Sequence, residues 1–63
     1  MTEAQRGFLH HLERNGGLAS YRGSGYHPNT AKACERAHWV TRLGGPVFRI
    51  TDAGRAALEE ATK

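Results

Sequence analysis

The sequence predicts a small α+β domain in the order α-β-α-β-β-α, with one short antiparallel sheet, and three observations carry that expectation. Both ends of the chain have helical periodicity behind a capping threonine, a Gly-Gly pair separates two short apolar strands, and a third helix-forming stretch runs into that hairpin. The chain has 63 residues, which sets the limit at a single domain over positions 1–63. A domain of this size buries only roughly 60% of its unfolded surface, so its core is marginal and a second copy of itself would help it.

The first helix is expected from Thr2 to Asn15. Thr2 and Gln5 have capping-box spacing, and Glu3 adds a favourable charge in the first turn. Ala4, Phe8, Leu9 and Leu12 share one face, while Arg6, His10, Glu13 and Arg14 fall elsewhere. Asn15-Gly16-Gly17 is a stop signal, with glycine where a left-handed cap is wanted. Gly16 to Asn29 then holds four glycines and a proline in fourteen residues, which no helix would be built from. Leu18 to Arg22 suits a short strand, Gly23-Ser24-Gly25 a turn, and Tyr26-His27 a second extended piece before Pro28.

A second helix is expected from about Thr30 to His38, capped by Asn29 or Thr30. Trp39 to Leu43 reads as a strand, Gly44-Gly45 as a tight turn, and Val47 to Ile50 as the returning strand. Thr51 caps a last helix, Asp52 to about Ala61, with Ala53, Ala57, Leu58 and Ala61 facing inward. The core is expected from Phe8, Leu9, Leu12, Trp39, Leu43, Phe48, Ile50 and Leu58, and Trp39 is the one of these to leave half exposed at a partner or dimer patch.

Composition narrows the functional classes. Nine Lys and Arg stand against six Asp and Glu, a net charge of +3, and seven of the nine cations are Arg. Arginine suits phosphate and base edges, and a basic balance argues against a protein that mimics DNA. The one cysteine, Cys34, rules out an internal disulfide framework, and no secretory n-region and h-region opens the sequence, so the cytoplasm is the expected compartment. No apolar run approaches the ~20 residues of a membrane span, so no membrane partner is expected. Cys34 and His38 sit at i and i+4, and His10, His11 and His27 are also present. One cysteine does not make a closed zinc site, and Cys34 reads as a buried core thiol. No catalytic residues, metal or cofactor are expected, and the chain is not expected to be an enzyme.

Thr30-Ala31-Lys32-Ala33-Cys34-Glu35-Arg36-Ala37-His38-Trp39-Val40 resembles the helix-into-strand segment of bacterial winged helix-turn-helix domains, Thr-Val-x-x-Leu-x-x-x-Gly-Leu-Val. Ile50-Thr51-Asp52-Ala53-Gly54-Arg55-Ala56-Ala57-Leu58 resembles the Leu-Thr-x-x-Gly-Arg-x-x-Leu ending of the same domains, found in MarR-like regulators and small phage or plasmid proteins. The likeness covers Asn29 to Leu58 well and Met1 to Gly17 loosely. Three departures go with it. The Gly-rich segment stands where the family has a further helix, His38 replaces the usual Gly, and the wing is only Gly44-Gly45 with no basic tip. The resemblance implies a winged-helix-like fold and a small DNA-binding protein, a transcription regulator of bacterial or phage type that acts by occupying its site. The alternative is a phage or mobile-element module that docks on a host protein complex, for example a CRISPR effector.

On that reading, Asn29, Thr30, Lys32 and Arg36 approach a groove of duplex DNA, and Arg22, Arg42 and Arg49 the phosphates. Lys32 and Arg36 lie one turn apart on one face, which is either a recognition face or a solvated one. The helix N-terminus behind Asn29 and Thr30 favours phosphate. Strand alternation suggests that Arg42 and Arg49 project from one face of the wing, where they serve either phosphate contact or edge solubility. Tyr21 and Tyr26, with Arg22 and His27, form an aromatic–basic cluster that either closes the core or stacks on a partner. A homodimer is the expected assembly, because one small winged helix seldom buries the ~1,000 Å² that specific DNA contact needs.

Overall fold

A computed structural model describes residues 1–22 and 25–62 and has the predicted order: α1 (Glu3–Arg14), β1 (Leu18–Ser20), α2 (Pro28–Arg36), β2 (Val40–Gly44), β3 (Val47–Ile50) and α3 (Asp52–Ala61). The three strands form one antiparallel sheet with β3 in the centre, so β1 and β2 are both edges. The helices cover one face of it around a core of Phe8, Leu9, Leu12, Ala31, Cys34, Val40, Phe48, Ile50 and Leu58.

At the start of α1 the capping box is complete. Thr2 Oγ1 accepts the Gln5 amide at 3.1 Å and Gln5 Oε1 accepts the Thr2 amide at 2.9 Å. Phe8, Leu9 and Leu12 are fully buried, whereas Ala4, expected inside, is exposed in the first turn. The helix ends in a Schellman motif: Gly17 N donates to Leu12 O at 2.8 Å and Gly16 N to Glu13 O at 3.3 Å, with φ of 81° at Gly16 and 89° at Gly17. The Gly17 carbonyl then accepts Ile50 N at 2.8 Å, which delivers the chain straight into the sheet.

The middle segment differs from expectation in three ways. β1 stops at Ser20 rather than Arg22, because Ser20 Oγ accepts the Arg22 amide at 3.0 Å and turns the chain. Of the expected Gly23-Ser24-Gly25 turn, Gly23 and Ser24 lie outside the described residues. Tyr26-His27 forms no strand; instead His27 caps α2, its Nδ1 accepting the Asn29 amide at 3.0 Å. The helix therefore begins at Pro28, two residues before the expected Thr30. Proline has the right φ for a first turn and no amide to leave unpaired, so Asn29 and Thr30 are inside the helix rather than capping it.

α2 ends at Arg36, and His38 has a φ of 64°. A left-handed conformation is unfavourable for a residue with a Cβ and neutral for glycine. Replacing His38 by Gly should therefore raise stability by about 0.5–1 kcal/mol, read as a higher urea midpoint at an unchanged m-value. An unaltered or lower midpoint would mean that the imidazole contributes contacts of its own.

β2 starts at Val40 rather than Trp39 and runs to Gly44, which pairs with Val47, so the hairpin turn is Gly45-Pro46 rather than Gly44-Gly45; a bulge interrupts the pairing between Arg42 and Gly44. Val40 lies opposite Ile50 and is buried, so the core-facing set on β2 begins at Val40. Leu43, expected in the core, is consequently 50% exposed, and Trp39 is half-buried at its edge. α3 is capped by Thr51, whose Oγ1 accepts the Gly54 amide at 3.0 Å and donates to the His38 carbonyl at 2.7 Å. This anchoring turns Gly54 and Leu58 inward, leaves Ala57 half-buried, and exposes Ala53 and Ala61, which were expected inside.

Candidate nucleic-acid interface

α2 buries Ala31 and Cys34, and its helical period then carries Asn29, Lys32 and Arg36 to solvent at i, i+3 and i+7. Thr30 is half-buried beside them. The described ion pairs join Arg42 to Glu35 at 3.4 Å and Arg55 to Glu13 and Asp52 at 3.0 and 3.8 Å. Lys32 and Arg36 belong to none of them, so among the described residues this face carries two cations with no carboxylate partner. Its neighbour Glu35 is engaged by Arg42.

The N-terminus of α2 offers less to an anion than the sequence suggested. Pro28 has no N–H, the Asn29 amide is taken by His27 Nδ1, and the Thr30 amide donates to the His27 carbonyl at 3.0 Å. Contacts from Asn29 and Thr30 must therefore be made by their side chains.

Arg42 and Arg49 do not share a face. Arg42 pairs with Phe48 in the ladder and Arg49 with Thr41, one position along, so their side chains leave opposite sides of the sheet. The Arg42 guanidinium stands 5.4 Å from the centre of the Phe48 ring and bonds to Glu35, which brings it to the α2 side of the molecule. Arg49 lies on the outer face, in an open concavity of about 690 Å³ that it shares with Leu18, Thr41, Leu43 and Arg55. Arg22 is exposed in the turn after β1.

Tyr21 and Tyr26 are half-buried and pack on the core. Tyr26 meets Phe8 edge-on with ring centres 5.9 Å apart, and Tyr21 tilts over Phe48 at 6.2 Å. The two rings close the core where the Gly-rich segment supplies no helix. Cys34 is fully buried, and burial pushes its thiol up to about 11, so it is a core group without thiolate character near neutrality. Among the described residues, no three His, Cys, Asp or Glu side chains come together in a way that could hold a metal ion, and no helix is long and apolar enough to cross a membrane.

One basic cluster was not singled out from the sequence. Arg6, His10 and Arg14 line an open concavity of about 370 Å³ on the outer side of α1, together with Gly7, Tyr26 and Thr62. Their spacing of i, i+4 and i+8 was visible, but the ring that walls the trough comes from a residue remote in sequence. No family model matches this chain, and comparison with curated proteins and with solved structures returns no match.

Proposed function

We propose that this chain is a winged-helix-like domain that binds duplex DNA, a regulator of bacterial or phage type acting by occupancy. The observation that carries the reading is the exposed Asn29–Lys32–Arg36 stripe on α2, whose two cations have no carboxylate partner among the described residues. A helix with donors along one face and apolar residues on the other can lie in a major groove, where Arg bonds guanine O6 and N7 and Lys meets phosphate. The hairpin that follows α2 directly, and the return of β1 onto β3, are consistent with this family of folds. Arg42, braced between Glu35 and the Phe48 ring, stands ready on the same side as a pre-oriented phosphate donor. With a wing turn of only Gly45-Pro46, the helix rather than the wing would carry the contact.

Fluorescence anisotropy of a labelled duplex over a salt series tests this. Binding should weaken steeply with salt, and Lys32→Ala and Arg36→Ala should each flatten the log–log slope by about 0.9 if each neutralises one phosphate. At 0.1 M salt the two together should lose on the order of 60-fold in affinity. If Arg36 reads a base instead, its removal should relax preference at one position. No binding of any duplex at ~50 mM salt would end the DNA reading.

A second reading, a module that docks on a host protein complex, has one observation in its favour. Leu18 and Leu43 are 46% and 50% exposed on the outer face of the sheet, away from α2. An unpartnered pair of leucines is more at home against protein than against phosphate.

A further inference from the structure

We propose that the duplex contact extends beyond α2 onto the outer face of α1, where Arg6, His10 and Arg14 hold the phosphodiester backbone. The inference rests on the DNA-binding reading above and adds a second element to it. Four consecutive positions of an α-helix rise about 6 Å, so the three basic side chains form a ladder roughly 12 Å long. α1 packs on β1 and β3, α2 packs on β2, and the two helices pack on each other. Both turn their basic residues to solvent, and the two helices are packed neighbours. A backbone that flanks the groove occupied by α2 would run along α1.

The surroundings of the ladder remove what would oppose an anion. Glu13 lies between His10 and Arg14 in sequence, yet its carboxylate is bound by Arg55 of α3 through two bonds of 3.0 and 3.2 Å. Among the described residues, neither Arg6 nor Arg14 takes part in an ion pair, and Glu3, one turn before Arg6, stays beyond ion-pair distance. Arg14 Nη2 lies 3.4 Å from His10 Nδ1. When that nitrogen accepts, the neutral ring carries its proton on Nε2 and presents a donor outward. Among the described residues, the trough thus offers guanidinium and imidazole donors and no carboxylate acceptor.

Gly7 gives the trough its wall. A glycine inside a helix is unfavourable by about 1 kcal/mol relative to alanine. Here a Cβ would come within 2.6 Å of the Tyr26 hydroxyl and 3.2 Å of its ring, so only glycine lets that ring lie against α1 beside Arg6 and His10. Thr62, just past α3, closes the other side. An exposed stripe of flexible cations is thereby set against a fixed aromatic surface, which suits the sugar-phosphate edge of a duplex.

The test is duplex binding by the Arg6→Ala/Arg14→Ala double variant and by Arg6→Lys/Arg14→Lys, each over a salt series beside wild type. We expect the alanine pair to flatten the log–log slope by about 1.8 and to weaken every duplex sequence alike, on the order of 60-fold at 0.1 M salt. The lysine pair should keep the wild-type slope. Wild-type behaviour in the alanine pair would overturn the inference and leave α2 as the contact. A lysine pair as impaired as the alanine pair would overturn it too, since charge would then not be what acts. Failure of wild type itself to bind would remove the DNA reading, and the inference with it.

Discussion

Gly54→Ala is expected to remove much of the domain's stability at 25 °C. A methyl group at position 54 would collide with the main-chain carbonyl oxygen of Trp39 and stand 2.9 Å from Ile50 Cγ1. Neither obstacle can yield easily. The same Trp39 carbonyl accepts the Thr51 amide at 2.9 Å, and Ile50 is a buried core residue. To make room, α3 must lift off the sheet, giving up the Thr51 cap and the burial of Leu58. Overpacking of this kind costs typically 1–3 kcal/mol, and loss of a cap adds about 1 more. A domain of this length has roughly 3–9 kcal/mol of stability in total. Thermal melting followed by circular dichroism should show a midpoint lowered by roughly 10–30 °C, and a midpoint within a few degrees of wild type would mean that α3 does not approach the sheet this closely.

The second large effect is expected at alkaline pH, at a residue remote from any partner. Burial raises the Cys34 thiol from an ordinary value of 9.0 to about 11, because the folded protein disfavours a thiolate in its core. A raised acid is fully stabilising below its unfolded value and loses that contribution as pH climbs to its folded one. Wild type should therefore shed about 2–3 kcal/mol of stability between pH 9 and 11, at 1.36 kcal/mol per unit. Cys34→Ala should cost roughly 1 kcal/mol at pH 7, from the lost sulfur contacts, and be flat over the same interval. The two stability profiles, measured by urea unfolding in reductant, should cross. Parallel profiles would place the thiol in contact with water.

Most of the fold was legible in the sequence because its signals are local. Thr2 with Gln5, Asn15-Gly16-Gly17 and Thr51 each act within a few residues, and each is found doing what its chemistry dictates, while the hairpin turn fell one residue later than expected. The errors have non-local causes. Whether Val40 or Trp39 begins the core face of β2 is decided by pairing with Ile50, and that choice also exposed Leu43 and separated Arg42 from Arg49. Ala53 and Ala61 were assigned inward on period alone, and the contact between Gly54 and Trp39 rotates the helix away from that setting. His27 was not recognised as a cap because histidine seldom serves as one. Of the site, the Asn29–Lys32–Arg36 stripe could be read from spacing, whereas the Arg6–His10–Arg14 trough needed Tyr26 folded back onto Gly7.

The clasp at the start of α3 also bears on how the chain reaches this structure. Thr51 Oγ1 bonds to the His38 carbonyl across 13 positions, sealing a loop that contains the whole hairpin. Leu18, by contrast, meets Arg49 across a separation of roughly 30 positions, and closing that longer loop costs about 0.7 kcal/mol more in chain entropy. The stretch from His38 to Gly54 therefore closes at a smaller cost in chain entropy than the pairing that brings β1 to the sheet. Because low-separation contacts form fastest, the register of β2 against β3 is fixed before β1 arrives, and the central strand offers the late edge only one template to read.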